Sequence, residues 1–152
     1  MQNERPYSVD IPLRWSDMDA LRHINNVQVA RLLEEARVLG LAEWFGFDAE
    51  GSRVPRLLIA RTEIDYRRQL HYRHQPVTIT MWVSKISGAS FDLDYEVLSS
   101  NDQDAHVCCT AQTTVVHFDM ETQRPQRIDP DTKAVLEKFQ GEPVEMRRRA
   151  RQ

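Results

Sequence analysis

The chain has 152 residues, of which 41% are hydrophobic and 28% charged, and its formal net charge is -3. These values are typical of a soluble globular domain with enough chain for an apolar core, and the small net charge gives no reason to expect a nucleic-acid partner. The sequence contains no apolar run near the roughly 18 residues that span a bilayer. Because the N-terminal residues also lack the apolar core of a signal peptide, we expect a cytoplasmic protein.

The first half of the chain predicts a strand, a polar loop and a long helix. Apolar and polar residues alternate over residues 7–15, which is typical of a strand. A polar loop follows over residues 16–25. Over residues 27–45 apolar residues recur at three- and four-residue spacing, as in an amphipathic helix. Asn25 or Asn26 is a suitable N-cap for it.

After the helix the apolar pattern changes to a period of two and predicts four long strands. They cover residues 54–70, 77–83, 91–97 and 105–118. Their connections are too short for parallel crossovers, so we expect an antiparallel meander. The alternation over residues 91–97 predicts that its acidic side chains face outward. A short helix is predicted over residues 130–139, with Asp129 as its cap.

These elements predict an α+β hot-dog fold, in which one long central helix is wrapped by a curved antiparallel sheet of about five strands. The helix is close to 30 Å long at about 1.5 Å per residue, and it has to cover one face of the sheet. We expect a single domain over residues 1–152, with a core of about 7–120. The basic tail, residues 146–152, is expected to be a frayed and solvated terminus.

The two cysteines of the chain, Cys108 and Cys109, are adjacent. The geometry of a disulfide disfavours a bond between neighbouring cysteines. The pair alternates between the faces of a predicted strand, so we expect one thiol to fill the core. Two cysteines without clustered partners do not make a zinc signature.

The segment before the helix carries the residues best suited to catalysis. It contains two carboxylates, an imidazole and two amides: Asp17, Asp19, His23, Asn25 and Asn26. A helix N-terminus presents unpaired N–H groups and about half a positive charge. Those donors can polarise a carbonyl oxygen while a carboxylate attacks it or activates water. The segment therefore predicts an acyl-transfer site, with one of its carboxylates as nucleophile or general base. The alternative for Asp19 is that it only accepts hydrogen bonds within the loop.

The same segment, together with Leu32-Leu-Glu-Glu-Ala-Arg37 in the helix, resembles the acyl-CoA thioesterases of the 4-hydroxybenzoyl-CoA thioesterase family. Ile64-Asp65-Tyr66 and Gly88-Ala-Ser90 stand where that family has its second strand and third turn. The resemblance covers roughly residues 8–120. The chain departs from the family at Gln69, where a proline is common, and at Arg73-His74-Gln75, which replaces a glycine-aspartate turn.

The resemblance implies hydrolysis of an acyl-CoA thioester to a carboxylic acid and free coenzyme A. It also implies a homodimer or homotetramer with active sites at the dimer interface. The catalytic aspartate of the family falls on Asp19, and the N–H that polarises the carbonyl falls near Asn26. Coenzyme A is part of the substrate, so no cofactor is expected.

Further candidate residues lie on both sides of this segment. The predicted substrate-binding residues are His23, Asn25, Asn26, Val27, Arg61, Gly88 and Ser90. The candidates for the coenzyme A phosphates are Arg61, Arg67, Arg68 and Lys85, because guanidinium groups in particular match phosphate oxygens. Glu35 is an alternative base from the helix, against a role on a solvated helix face. No metal site is expected, because no third ligand accompanies Asp19 and His23.

Two other functions remain open at this point. A hot-dog domain can bind an acyl-CoA or acyl-carrier thioester without turnover, using the same loop. Hydratase activity also occurs on this fold, but it needs a helix-borne Asp/His pair that the sequence lacks. An exposed sheet edge is normally covered by pairing, which also favours at least a dimer.

Overall fold

The computed structural model describes residues 6–48, 51–52 and 55–148. The described helices are α1 (Asn26–Phe45) and α2 (Pro130–Lys138), and a 3-10 turn covers Trp15–Asp17. The described strands are β1 (Tyr7–Ile11), β2 (Phe47–Asp48), β3 (Gly51–Ser52), β4 (Leu57–Tyr66), β5 (Val77–Ile86), β6 (Ser90–Leu98), β7 (Val107–Asp119) and β8 (Arg124–Pro125).

The main sheet has the strand order β1-β5-β6-β7-β4, and β8 pairs with the end of β7. All of these pairings are antiparallel. The sheet packs against the long helix α1, so the predicted hot-dog fold is confirmed. The register between β4 and β7 has an irregularity between Ile59 and Arg61.

The expected meander of four strands is wrong in one respect. β5, β6 and β7 form a meander, but β4 pairs with β7 instead of β5. The connection over residues 67–76 is long enough to cross the end of the sheet, so β4 and β5 need not be neighbours. It passes the loop that precedes α1, where Ile24 and Leu70 are hydrogen-bonded. The crossing link therefore becomes one wall of the region around Asp19.

α1 begins and ends at residues that suit the ends of a helix. The side chain of Asn25 accepts a hydrogen bond from the N–H of Val27 at 2.9 Å, which satisfies one free donor of the first turn. Gly46 ends the helix with a φ of 83°, a conformation that favours glycine. Within the helix, a Cβ at Gly40 would overlap the methyl group of Met81, so α1 lies directly against β5.

The core lies between α1 and the sheet. The helix contributes Val29, Leu32, Leu33, Ala36 and Leu41, and the strands contribute Ile79, Met81, Val83, Leu93, Tyr95, Val97 and Ala111. At the far end of α1, Trp44 stacks on Phe139 just after α2, with ring centroids 4.3 Å apart. This packing fixes the helix on the sheet and so fixes the position of its N-terminus.

The acidic side chains of β6 do not all face water, contrary to expectation. Asp94 is fully buried, because the chain after α2 crosses the outer face of the sheet and covers it. We call residues 139–148 the C-terminal segment. The N–H of Val144 donates to Asp94 at 2.8 Å, and Val144 and Met146 pack with Trp82. Burial raises the pKa of the Asp94 carboxyl.

In the predicted basic tail, the side chain of Arg147 is exposed, but its backbone is bound to the sheet. Its N–H donates to the Asp65 carboxylate of β4 at 2.6 Å, which fixes this end of the C-terminal segment on the sheet. The tail residues 149–152 lie outside the described part of the chain.

Cys108 and Cys109 are both buried as free thiols. Burial raises the pKa of Cys109 to about 12, so this thiol is a poor nucleophile near neutral pH. Within the described residues, no helix has the length and apolar character to cross a bilayer.

Candidate active site

The loop between β1 and α1 folds as a small hairpin. Met18 and Ile24 form an antiparallel bridge, and the N–H of Asp19 donates to the carbonyl of His23 at 2.8 Å. Arg22 takes the tight turn with a φ of 64°, a conformation that is uncommon outside glycine. The hairpin thus places Asp19 and His23 opposite each other.

The crossing link after β4 holds this hairpin from the other side. The N–H of Ile24 donates to the carbonyl of Leu70 at 2.7 Å, and His23 forms an antiparallel bridge with His71. The N–H of Tyr72 donates to the carbonyl of Arg22 at 3.3 Å. Backbone hydrogen bonds therefore fix the loop independently of its exposed side chains.

The carboxylate of Asp19 has one engaged oxygen and one available oxygen. Oδ1 accepts from the N–H groups of Leu21 at 2.8 Å and His23 at 3.1 Å. Within the part of the chain that the structure describes, Oδ2 accepts no hydrogen bond. The structural role foreseen as an alternative is thus present, but it occupies only one oxygen. The other oxygen can act on a substrate.

Asp19 lines a cavity of about 370 Å³ that lies between the hairpin, the start of α1 and the end of β4. The cavity brings together three of the predicted site residues, Asp19, His23 and Asn26. Tyr66 and Arg68 contribute from the end of β4 and the crossing link. These elements are distant in the sequence, and the strand order β7-β4 is what places them side by side.

The first residue of α1, Asn26, lines this cavity and has an unpaired backbone donor. The carbonyl of Asn25 accepts from the N–H groups of Gln28 and Val29, and its side chain accepts from Val27. The N–H of Asn26 donates to no other described residue, as expected at the first helical position. Asn25 therefore acts as the cap of α1. The side chain of Val27, another predicted substrate-binding residue, is 72% exposed.

The buried side chain of Asp17 connects the loop to α1. Its carboxylate is fully buried and accepts from Arg14 and from Arg31 of α1, the latter at 2.7 Å. Its carbonyl accepts from the N–H of Asn25 at 3.0 Å. Burial acts to raise the pKa of the Asp17 carboxyl, but the bonds from Arg14 and the charge of Arg31 hold it below its usual value.

The remaining predicted site residues lie elsewhere in the structure. Arg61 lines a separate cavity of about 550 Å³ on β4 and pairs with Glu63 at 2.9 Å. Gly88 and Ser90 lie at the turn between β5 and β6 and do not line the Asp19 cavity. Glu35 pairs with Arg31. The structure therefore does not bring these four predicted residues to Asp19.

The crossing link carries Arg67 and Arg68, which were predicted as candidates for the coenzyme A phosphates, and adds His71, Arg73 and His74, which the site prediction did not include. Residues 67–74 contain three arginines and two histidines without an acidic residue. Arg68 lines the cavity, and Arg73 has two buried guanidinium nitrogens without a hydrogen-bond partner. His71 packs against His23 with ring centroids 4.9 Å apart. The density of basic residues was visible in the sequence, but their position beside Asp19 depends on the strand order.

Comparison with protein families identifies one match that covers most of the chain. The model of the thioesterase-like superfamily matches residues 13–136. That range includes the site hairpin, α1, the main sheet from β4 to β7 and most of α2.

Individual relatives support the same classification. The long-chain acyl-CoA thioesterase FadM of Escherichia coli (strain K12) is 26% identical over 129 residues, which is 85% of this chain and 96% of that protein. A solved structure of a predicted thioesterase from Bacillus stearothermophilus has a TM-score of 0.76 at 27% identity and covers 91% of this chain and 98% of its own.

A third relative shares the fold at lower identity. The structure of a thioesterase from Thermus thermophilus, complexed with coenzyme A and Zn, has a TM-score of 0.71 and 20% identity. It covers 88% of this chain and 98% of its own.

Proposed function

The chain belongs to the thioesterase-like superfamily and is a thioester hydrolase, and we propose that it cleaves acyl-CoA thioesters with Asp19 as the catalytic carboxylate. The observation that carries this proposal is the shared cavity of Asp19 and Asn26. The available oxygen of Asp19 and the unpaired N–H of Asn26 are the two groups that acyl transfer requires.

The chemistry follows from these two groups. The thioester carbonyl oxygen accepts a hydrogen bond from the Asn26 N–H, which stabilises the negative charge that develops there. Asp19 Oδ2 removes a proton from the attacking water, or attacks the carbonyl carbon itself to form an anhydride that water then hydrolyses. Both routes use the same oxygen, because Oδ1 is held by Leu21 and His23.

The positively charged residues of the crossing link favour a substrate whose acyl group is attached to an anionic carrier. Arg68 lines the cavity and has no ion-pair partner among the described residues, and Arg73 is also unpaired. Burial raises the pKa of the Cys108 thiol, and the positive charges of Arg73 and Arg68 partly offset that rise. We propose Arg68, instead of Arg61, as a partner for the phosphates of coenzyme A.

We further propose that the protein forms a homodimer along β4, with the site at the interface. β4 is an edge strand of the main sheet, and Leu58, Ile59 and Tyr66 are 44%, 43% and 49% exposed. An edge strand with apolar side chains is normally covered by another chain. Tyr66 also lines the Asp19 cavity, so a partner seated on β4 would close the cavity from outside.

The proposed function is tested by replacing Asp19. Thiol release from short, long and aromatic acyl-CoA substrates is measured for the wild type, Asp19→Asn and Asp104→Asn. Loss of one positioned catalytic group is expected to lower kcat/KM by about 10²–10⁴. Asp104 lies in an exposed turn between β6 and β7, so its variant should match the wild type.

Equal rates for the wild type and Asp19→Asn on every substrate would contradict the assignment. Tight acyl-CoA binding by calorimetry, without thiol release over hours, would instead indicate a binding module.

A further inference from the structure

β4 ends in a bulge beside the Asp19 cavity. The N–H groups of Arg67 and Arg68 both donate to the carbonyl of Cys108, at 2.8 Å and 3.1 Å. Two consecutive residues therefore lie opposite a single residue of β7, which is the arrangement of a β-bulge. A bulge interrupts the alternation of side chains along a strand and changes the direction in which they point. Both arginines line the cavity, so the bulge determines how they face it.

The side chain of Arg67 connects this bulge to the C-terminal segment. Its Nη2 donates to the carbonyl of Glu145 at 2.7 Å, and its Nε donates to the hydroxyl of Thr110 in β7 at 3.3 Å. Arg67 also lines a second cavity, of about 310 Å³, together with Trp82 and Val144. One guanidinium group thus joins the segment that covers the outer face of the sheet to the strand end that borders the Asp19 cavity.

The side chain of Arg68 has no comparable anchor. In the part of the chain that the structure describes, its guanidinium group has no hydrogen-bond or ion-pair partner, and the residue is exposed. Because Arg67 and Arg68 share the Cys108 carbonyl, a displacement of Arg67 shifts Arg68 as well. The direction of the Arg68 side chain therefore depends on the contacts of its neighbour.

We propose that Arg67 is a positioning residue for recognition of the anionic carrier. Thr110 and the C-terminal segment hold its guanidinium group, which fixes the bulge, and the bulge directs Arg68 toward the phosphates of coenzyme A. The inference rests on the proposed cleavage of acyl-CoA. It gives the C-terminal segment a part in specificity: the segment favours coenzyme A over an uncharged carrier and leaves the chemical step unchanged.

The test compares two carriers that bear the same acyl group. One substrate is the acyl-CoA, and the other is the acyl-N-acetylcysteamine thioester, which keeps the thiol end of the carrier and lacks its phosphates. Arg68→Ala is expected to raise KM for acyl-CoA about tenfold, and Arg67→Ala about fivefold, with kcat unchanged. For the truncated thioester, kcat/KM should stay within about twofold of the wild type in both variants.

A double variant separates positioning from direct contact. If Arg67 acts through Arg68, adding Arg67→Ala to Arg68→Ala should not raise KM for acyl-CoA further. Thr110→Val removes one of the two acceptors of the Arg67 guanidinium and should raise that KM less than Arg67→Ala. Arg124→Ala is the matched control, because Arg124 is exposed in β8 and does not line the cavity.

Each outcome decides the inference. Additive effects in the double variant would show that Arg67 binds the carrier itself, and an equal loss on both thioesters would show a structural role; either result overturns the inference. An unchanged KM for acyl-CoA in Arg67→Ala or in Arg68→Ala also overturns it. If Arg67→Ala does not fold, Thr110→Val, alone and combined with Arg68→Ala, provides the same comparison. Failure of the proposed function is seen separately, because the wild type would then cleave neither thioester or Asp19→Asn would remain fully active.

Discussion

Asp17 shows how a residue that never touches the substrate can control the site. Its carboxylate joins Arg14 at the start of the loop to Arg31 in α1, and its carbonyl holds Asn25. Asp17→Asn removes the charge of a fully buried carboxylate that accepts from Arg14 and Arg31, and it leaves Arg31 paired with Glu35 alone. We expect this to lower the free energy of unfolding by about 2 kcal/mol at neutral pH, measured by urea denaturation.

The same variant should change the response to acid. The pKa of Asp17 lies below its usual value in the folded state, so its stabilising contribution is complete above about pH 4 and is lost as the pH falls through the folded-state pKa. The wild type should therefore lose stability steeply below about pH 4, and Asp17→Asn less steeply. Parallel curves for the two proteins would show that the ion pairs of Asp17 contribute little.

Among single residues, the sequence predicts those site residues that lie close together along the chain. Asp19, His23 and Asn26 lie within eight residues and precede a recognisable helix, and they share one cavity. His71 was not foreseeable, because its contact with His23 depends on how the link after β4 crosses the sheet. Asp94 was misjudged for a similar reason, since alternation along β6 does not reveal that a later segment covers it.

Among the secondary-structure elements, the first turn of α1 contributes to the stability of the fold and also carries the proposed catalytic N–H of Asn26. Asn25→Ala removes the acceptor for the Val27 N–H and should lower the free energy of unfolding by about 1 kcal/mol. It should also lower kcat for acyl-CoA, because the turn that carries Asn26 loses its cap. Thermal unfolding and thiol release measure the two effects.

The cap of α2 provides the matched control for that variant. Asp129 accepts from the N–H of Thr132 at 2.7 Å, and α2 lies away from the Asp19 cavity. Asp129→Ala should therefore cause a similar loss of stability without loss of kcat. If both variants changed activity equally, the first turn of α1 would have no special part in catalysis.

The elements themselves were predictable because each has its own periodicity. The long helix and the four long strands follow from three- to four-residue and two-residue spacing. The partner of β4 did not follow, because periodicity fixes the face of a strand and not its neighbour. The two-residue strands β2, β3 and β8 are too short to produce a pattern.

For the whole molecule, assembly is the central question, because the outer edge of β4 pairs with no other strand in the described part of the chain. Ile59→Lys places a charge on this edge and should convert the proposed dimer to a monomer, with lower kcat/KM because the cavity opens. Light scattering and thiol release measure the two results. Met120→Lys is the control, because Met120 is similarly exposed at 46% but lies beyond the end of β7.

A monomeric wild type at micromolar concentration would contradict the proposed dimer. A dimer that persists in Ile59→Lys would instead place the contact on another surface of the molecule.

The position of the C-terminal segment has a consequence for how the chain assembles during synthesis. Residues 139–148 follow every strand that they cover, so Asp94 Oδ2 is open to water until they dock, while Oδ1 already accepts from Ser84 and Gln112 within the sheet. The apolar face can meanwhile collapse onto α1, because all of its components have already emerged. Dehydration of Asp94 is therefore deferred to the closing stage of folding, when the amide of Val144 arrives to bind it.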